Sequence, residues 1–342
     1  MKGQIVSQKI DDLDLLRVLA ITLVVLRHTF SPFTKDWNVS VYYDYSLPLD
    51  FIGQYISTLS MPLFVFISGY IFSYLRNDLK KYSTYKILIK KKIKRLLIPY
   101  FLLGPIYIYL FLDFKYYSDF LLNLWKGCGH LWFLLMLFLL FLFYYPFETF
   151  FKKNIYKSIV LSLLIFVVAL PLYYFRLTPL GDACKYLVFF HIGYLFFNNK
   201  NTVLLYIKNK AKYFIISHFL LYVVCFAINI SLKNNLHLIL INHFKVVILG
   251  VLSIFFIHGY FSMIISDAKK KYQKFINAIN QNSYYIYILH QPILVTIFNI
   301  EFVKLLDPNI LIITAFLVTF TFSLLLSNLV MKHKIGRFII GA

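Results

Sequence analysis

The sequence predicts an all-α, polytopic bundle of about ten membrane-spanning helices with both termini cytoplasmic. Three observations predict it. Apolar residues make up 60% of the 342-residue chain and charged residues only 14%, whereas soluble domains carry about 25% charged residues. Ten stretches have the length and composition to cross a bilayer, which takes about 20 mostly apolar residues each. The basic residues crowd into alternate connecting segments, as membrane topology requires.

The stretches run roughly over 14–31, 51–75, 96–112, 130–148, 158–175, 184–198, 213–231, 239–263, 282–299 and 309–331. The first follows Asp11, Asp12 and Asp14 and has no small-residue cleavage site, so it reads as a span and not as a signal peptide. The second opens on polar Gln54, Ser57 and Thr58, and the sixth is short. Leu, Ile, Phe and Tyr fill the spans without the alternation of a β-barrel strand. The longest gap is 76–95, too short for a soluble domain, so residues 1–342 form a single integral membrane domain.

With both termini cytoplasmic, 25 of the 35 basic residues fall on that side. Seven lie opposite (Lys35, Lys115, Lys126, Arg176, Lys185, Lys233 and Lys304), and Arg17, Arg27 and Lys245 lie inside spans. The net charge of +21 is therefore mostly topology, which points to membrane lipids and away from nucleic acid. Three cysteines without a C-x-x-C pair give no zinc site, and Cys128 and Cys184, both near the outer face, are not expected to pair. The histidine spacings resemble no metal site, and no bound cofactor is expected. Most of His191, His218, His243 and His258 read as satisfied bundle residues. Matching halves, the mark of many secondary transporters, are absent.

Ionisable residues inside spans are costly and default to functional candidates. Arg17 and His28 are the best pair: eleven residues at about 100° each bring them within about 20° of one helix face, about 16 Å apart along the axis. Arg27, beside His28, reads as an interfacial or bundle-lining cation and not as a second catalytic group. In Pro62-Leu-Phe-Val-Phe-Ile-Ser-Gly-Tyr70, Gly69 permits close helix approach and Ser68 can bond across helices. The run Lys90-Lys-Lys-Ile-Lys-Arg95 suits anionic headgroups or an anionic substrate. Gly127-Cys-Gly-His-Leu-Trp132 sets His130 and Trp132 at the outer interface. His290 lies two residues before Pro292, where the helix loosens and exposes backbone.

Taken in order, these pieces resemble the acyltransferase 3 family of integral membrane acyltransferases, in its stand-alone branch. The matching elements are Leu13-Asp-Leu-Leu-Arg17 with ten residues to His28, Pro62 to Tyr70, and the basic run before Pro99-Tyr100. His130-Leu-Trp-Phe-Leu134, Phe189-Phe-His-Ile-Gly-Tyr194 and Ser283 to His290 complete the series. A charged Trp/Glu-rich pattern found around the fourth span in some larger members is missing.

The resemblance implies transfer of an acyl group, commonly acetyl from acetyl-CoA as co-substrate, to a hydroxyl of a cell-surface polysaccharide or its lipid-linked precursor. It implies a multi-pass protein of a bacterial plasma membrane. His28 and Arg17 are then the catalytic candidates, His28 as general base or nucleophile. Lys94 and Arg95 are candidates for docking acyl-CoA phosphates. Ser68, His130 and His290, with Arg27 and Trp132, are candidates for contacting substrate. The competing expectation is a transporter or flippase for a lipid-linked sugar or small anion.

Overall fold

The computed structural model describes residues 2–34, 43–111, 116–232 and 236–341. Lys35, Lys115 and Lys233 of the charge map, and residue 112 of the third stretch, lie outside them. Every regular element among the described residues is helical. Helix α1 spans Lys2–Thr29 and α2 spans Leu47–Asn77. Helix α3, Tyr85–Lys92, runs through a π-helical turn at Ile93–Leu97 into α4, Ile98–Phe111. The short α5, Tyr117–Lys126, precedes α6, Trp132–Lys153, α7, Ile155–Tyr174, and α8, Thr178–Asn198. Then come α9, Lys200–Ser231, α10, Leu236–Phe298, α11, Pro308–Lys332, and a final turn α12, Lys334–Ile339. Helix α10 is two helices joined at Tyr272, whose φ of −114° and ψ of 20° break the ladder.

Among the described residues, eight helical stretches are long and apolar enough to cross a membrane, against the ten expected. The two outside the eight, 14–31 and 282–299, are helical as well, in α1 and the second half of α10. Asp14, Arg17, Arg27 and His28 interrupt the first, and Asn282, Ser283, His290 and Gln291 the second. Both carry polar groups of the candidate site.

Packing is tightest between α2 and α8. A Cβ added at Gly69 would lie 1.9 Å from the Phe190 carbonyl oxygen, and one at Gly193 would lie 2.0 Å from that of Phe66. Neither position has room for a side chain, so the backbones touch, as small residues allow in membranes. Helix α1 packs against α2, the second half of α10 and α11. The Ser327 hydroxyl on α11 donates to Asn282 Oδ1 at 2.8 Å, tying α11 to α10.

One end of the bundle is basic. There Arg76, at the C-terminus of α2, donates from Nε to Glu148 Oε2 at 2.9 Å and from Nη1 to the Ser83 carbonyl at 3.1 Å. Its guanidinium also lies over the Tyr145 ring. Arg76 thereby holds the turn between α2 and α3 against α6. Lys152 and Lys153 close α6 at this end. Trp132 opens α6 at the other, about 33 Å away at 1.5 Å per residue over its 22 residues.

Candidate active site

Two parallel helices frame the site. At the basic end Arg17 Nη1 donates to Asn280 Oδ1 at 2.6 Å, and Asn280 Nδ2 donates to Asp14 Oδ1 at 2.7 Å. Farther along both helices, His28 Nδ1 lies 3.3 Å from His290 Nε2, with the rings 4.9 Å apart. The spacing that sets Arg17 and His28 on one face of α1 is matched on α10, so each residue of the pair meets its own partner.

Hydrogen bonds fix the proton positions on these rings. His28 Nδ1 is 2.8 Å from the Val24 carbonyl and His290 Nδ1 is 2.6 Å from that of Tyr287. A carbonyl only accepts, so both Nδ1 atoms carry the proton. His28 Nδ1–H then faces the lone pair of His290 Nε2, and His28 Nε2 carries a lone pair of its own. One proton on each ring satisfies these contacts.

His130 completes the cluster, its ring 5.1 Å from that of His290. Its Nε2 donates to the Ile288 carbonyl at 2.9 Å. That carbonyl lies four residues before Pro292, which has no N–H to offer it. The proline thus supplies the acceptor that holds His130. The His130 N–H also donates to Gln291 Oε1 at 2.8 Å, and the Tyr287 hydroxyl donates to the His130 carbonyl. With Nε2 protonated, His130 Nδ1 is a lone pair, buried and without a hydrogen-bond partner among the described residues.

The chain reaches His130 through three consecutive positive φ angles, 120° at Gly127, 42° at Cys128 and 58° at Gly129. A Cβ on Gly127 would lie 2.3 Å from that of Trp132, and one on Gly129 2.4 Å from the Tyr107 ring. Cys128 is buried, which pushes its thiol up to about 11. Such a cysteine is a packing residue and a poor nucleophile. Cys128, Cys184 and Cys225 are all free thiols.

A cavity of about 360 Å³ leads from the basic end towards the histidines. Arg17, Lys92, Arg95, Ser68 and Asn280 line it, with an aromatic wall that includes Phe64, Phe133 and Tyr287. The histidines do not line it. Tyr287 stands between, its ring 5.6 Å from His130 and 5.7 Å from His290. Arg95 lies 4.4 Å from the Tyr284 ring centre, and Tyr284 donates to the Arg95 carbonyl.

The sequence-predicted residues thus divide. Arg17, His28, His130 and His290 converge on one line through the bundle, and Ser68 and Arg95 join Arg17 around the cavity. Ser68 bonds back to Phe64 of its own helix at 3.0 Å, so it faces the cavity without bridging helices. Lys94 is exposed, and Lys92 lines the cavity in its place. Arg27 bonds Ser31 at 3.2 Å and does not line the cavity. Trp132 opens on a separate cleft. His191 is satisfied at both nitrogens, by Tyr144 and Ser158 at 2.9 Å each. Sequence reasoning passed over Asn280, Tyr287 and Gln291, although all three sit in the polar run from Asn277 to Gln291 that holds His290. Among the described residues no three His, Cys, Asp or Glu side chains are grouped to hold a metal ion.

A sequence model of an acyltransferase domain family, the acyltransferase 3 family, matches residues 10–328. No curated protein and no solved structure matches the chain at a significant level. The match takes in Arg17, His28, His130 and His290 together, and the chain belongs to the acyltransferase 3 family of membrane acyltransferases.

Proposed function

We propose that the chain is an acyl-CoA-dependent O-acyltransferase of a bacterial plasma membrane, with both termini cytoplasmic. It moves an acyl group, acetyl in the simplest case, to a hydroxyl of a cell-surface saccharide or its lipid-linked precursor. One observation carries the reading: three cations surround a single cavity, Tyr287 follows, and three histidines in ring contact lie beyond it. The cavity volume falls within the range of about 300–1,000 Å³ typical of small-molecule sites.

Acyl-CoA brings phosphates and a long neutral arm. Arg17, Lys92 and Arg95 suit the phosphates through charge-assisted bonds, and the wall of Phe64, Ile67, Phe133 and Leu137 suits the arm. The Tyr287 ring lies between this cavity and the histidines, so the thioester passes it to reach His28. His28 Nε2 takes the acceptor hydroxyl's proton while the oxygen attacks the thioester carbon. The C–S bond breaks, and the leaving thiolate takes that proton from the imidazolium. Throughout, His28 Nδ1–H stays between the Val24 carbonyl and His290 Nε2, so two lone pairs meet the transient positive charge.

Purified protein in nanodiscs, given radiolabelled acetyl-CoA and a crude glycan extract, is expected to move label to glycan. Label on the protein when acceptor is withheld would assign the route through an acyl-imidazole. No transfer and no acetyl-CoA binding would overturn the enzyme reading in favour of a carrier.

Asn280 holds the Arg17 guanidinium, and a hydrogen bond to a charged group contributes about 1.5–3 kcal/mol. Asn280→Ala is therefore expected to raise the KM for acyl-CoA about tenfold or more, with kcat nearly unchanged. An unchanged KM in steady-state assays would remove Arg17 from donor binding.

A further inference from the structure

At the end of the bundle away from Arg76 and Lys153, a second cavity of about 360 Å³ opens between α5, the start of α6 and the start of α8. Trp132, Tyr173 and Tyr186 give it three aromatic rings, and Asn123, Thr178 and Asp182 give it polar groups. The Trp132 and Tyr186 rings lie 5.6 Å apart, tilted by 42°. The Tyr173 hydroxyl donates to Asp182 Oδ1 at 2.6 Å, which orients the carboxylate and leaves lone pairs on it for further donors. Thr178 Oγ1 is buried with no hydrogen-bond partner among the described residues. One carboxylate, Asp182, and one ammonium, Lys126, line the cleft, and the Lys185 ammonium lies 5.9 Å from the Tyr173 and Tyr186 ring centres.

Aromatic faces beside a carboxylate, an amide and a hydroxyl are the chemistry that holds a saccharide. The apolar C–H face of a sugar lies on the rings, and its hydroxyls donate to the carboxylate and accept from the amide. No histidine lines the cleft itself, but the segment that carries His130 forms part of its wall. Gly129 and Trp132 line it, His130 lies between them in sequence, and the His130 ring touches that of His290. The three left-handed residues 127–129 are the shared wall.

We propose that this cleft is the saccharide acceptor site, so that donor and acceptor enter from opposite ends of the bundle and meet at His28. The assignment rests on the transferase reading above. Within it, the lone pair of His130 Nδ1 receives an acceptor hydroxyl and orients it for His28, a positioning role.

The test uses the full chain in nanodiscs, with methyl glycosides of glucose, galactose, N-acetylglucosamine and rhamnose as probes. Saturation-transfer NMR reads glycoside binding, and acetyl-CoA turnover is followed separately. Asp182→Asn keeps the acceptor for Tyr173 and removes the charge; Tyr186→Leu removes one ring. At least one glycoside is expected to bind wild type, with both variants weakening its binding, and raising its KM, about tenfold or more. Equal binding by wild type and both variants overturns the assignment, and so does a wild type that binds none of the probes. Glycoside binding that depends on Asp182 and Tyr186, without acetyl-CoA consumption by wild type, keeps the cleft and overturns the transferase reading.

Discussion

His28→Ala is expected to lower kcat/KM for acyl transfer by about 10²–10⁴-fold, the range that a positioned general base contributes. At 1.36 kcal/mol per decade this is about 3–5 kcal/mol of lost transition-state stabilisation. The loss falls on kcat, because the cavity that suits acyl-CoA is lined by Arg17, Lys92 and Arg95 and not by His28. His290 tests the arrangement behind it. Leucine there removes the lone pair that faces His28 Nδ1–H, while glutamine offers a carbonyl oxygen in its place. His290→Leu is expected to lose about one to two decades of kcat, and His290→Gln to recover part of that loss. Stopped assays with labelled acetyl-CoA, at saturating and limiting donor, separate the two parameters. Transfer by His28→Ala at more than a tenth of the wild-type rate would remove His28 from the mechanism.

The largest effect on stability is expected where α2 and α8 touch. A methyl group at Gly69 or Gly193 would overlap a carbonyl oxygen of the opposite helix, at 1.9 and 2.0 Å. The atom that must yield is backbone in both cases, so relief requires the helices to separate by about 1 Å or more. Overpacking of this kind costs about 1–3 kcal/mol in ordinary cores, with larger values at rigid sites. Gly69→Ala and Gly193→Ala are each expected to lower the midpoint of thermal unfolding in detergent by several degrees. Because Phe64, Ile67 and Ser68 ride on α2 beside the contact, donor binding is expected to weaken as well. Two variants with wild-type midpoints would show that the helices do not approach so closely in solution.

Much of this architecture is legible in the chain at the level of single helices. Apolar runs disclose the helices, and the eleven-residue interval from Arg17 to His28 correctly sets both side chains towards one partner. What the chain withholds is which helix that partner is. His290 and His130 stand out one at a time as histidines within or beside apolar stretches, but only tertiary packing stacks them on His28. Asn280 and Gln291 carry amides, which are common in membrane bundles and mark nothing by themselves. In the run Lys90 to Arg95 five of the six residues are basic, so composition cannot say which of them face inward. The π-helical turn at Ile93–Leu97 shifts the helical register there, and the cavity receives Lys92 and Arg95 while Lys94 faces out. Pro292 is the instructive middle case. Its loosening of the helix is readable in advance, whereas the use of the freed Ile288 carbonyl to hold His130 is not.

The pairing of α1 with the second half of α10 also bears on how the protein is made. Arg17 and Asn280 are 263 residues apart in the chain, and His28 and His290 are 262 apart. At about 5–20 residues per second, a ribosome takes roughly tens of seconds to reach the partners of the first helix. Until then α1 holds Arg17 and His28 without those partners, and ionisable groups on an apolar helix are costly until they are paired. Its polar groups therefore find their partners only once the second half of α10 has been made. By the same token, a chain released before that point lacks the assembled histidines.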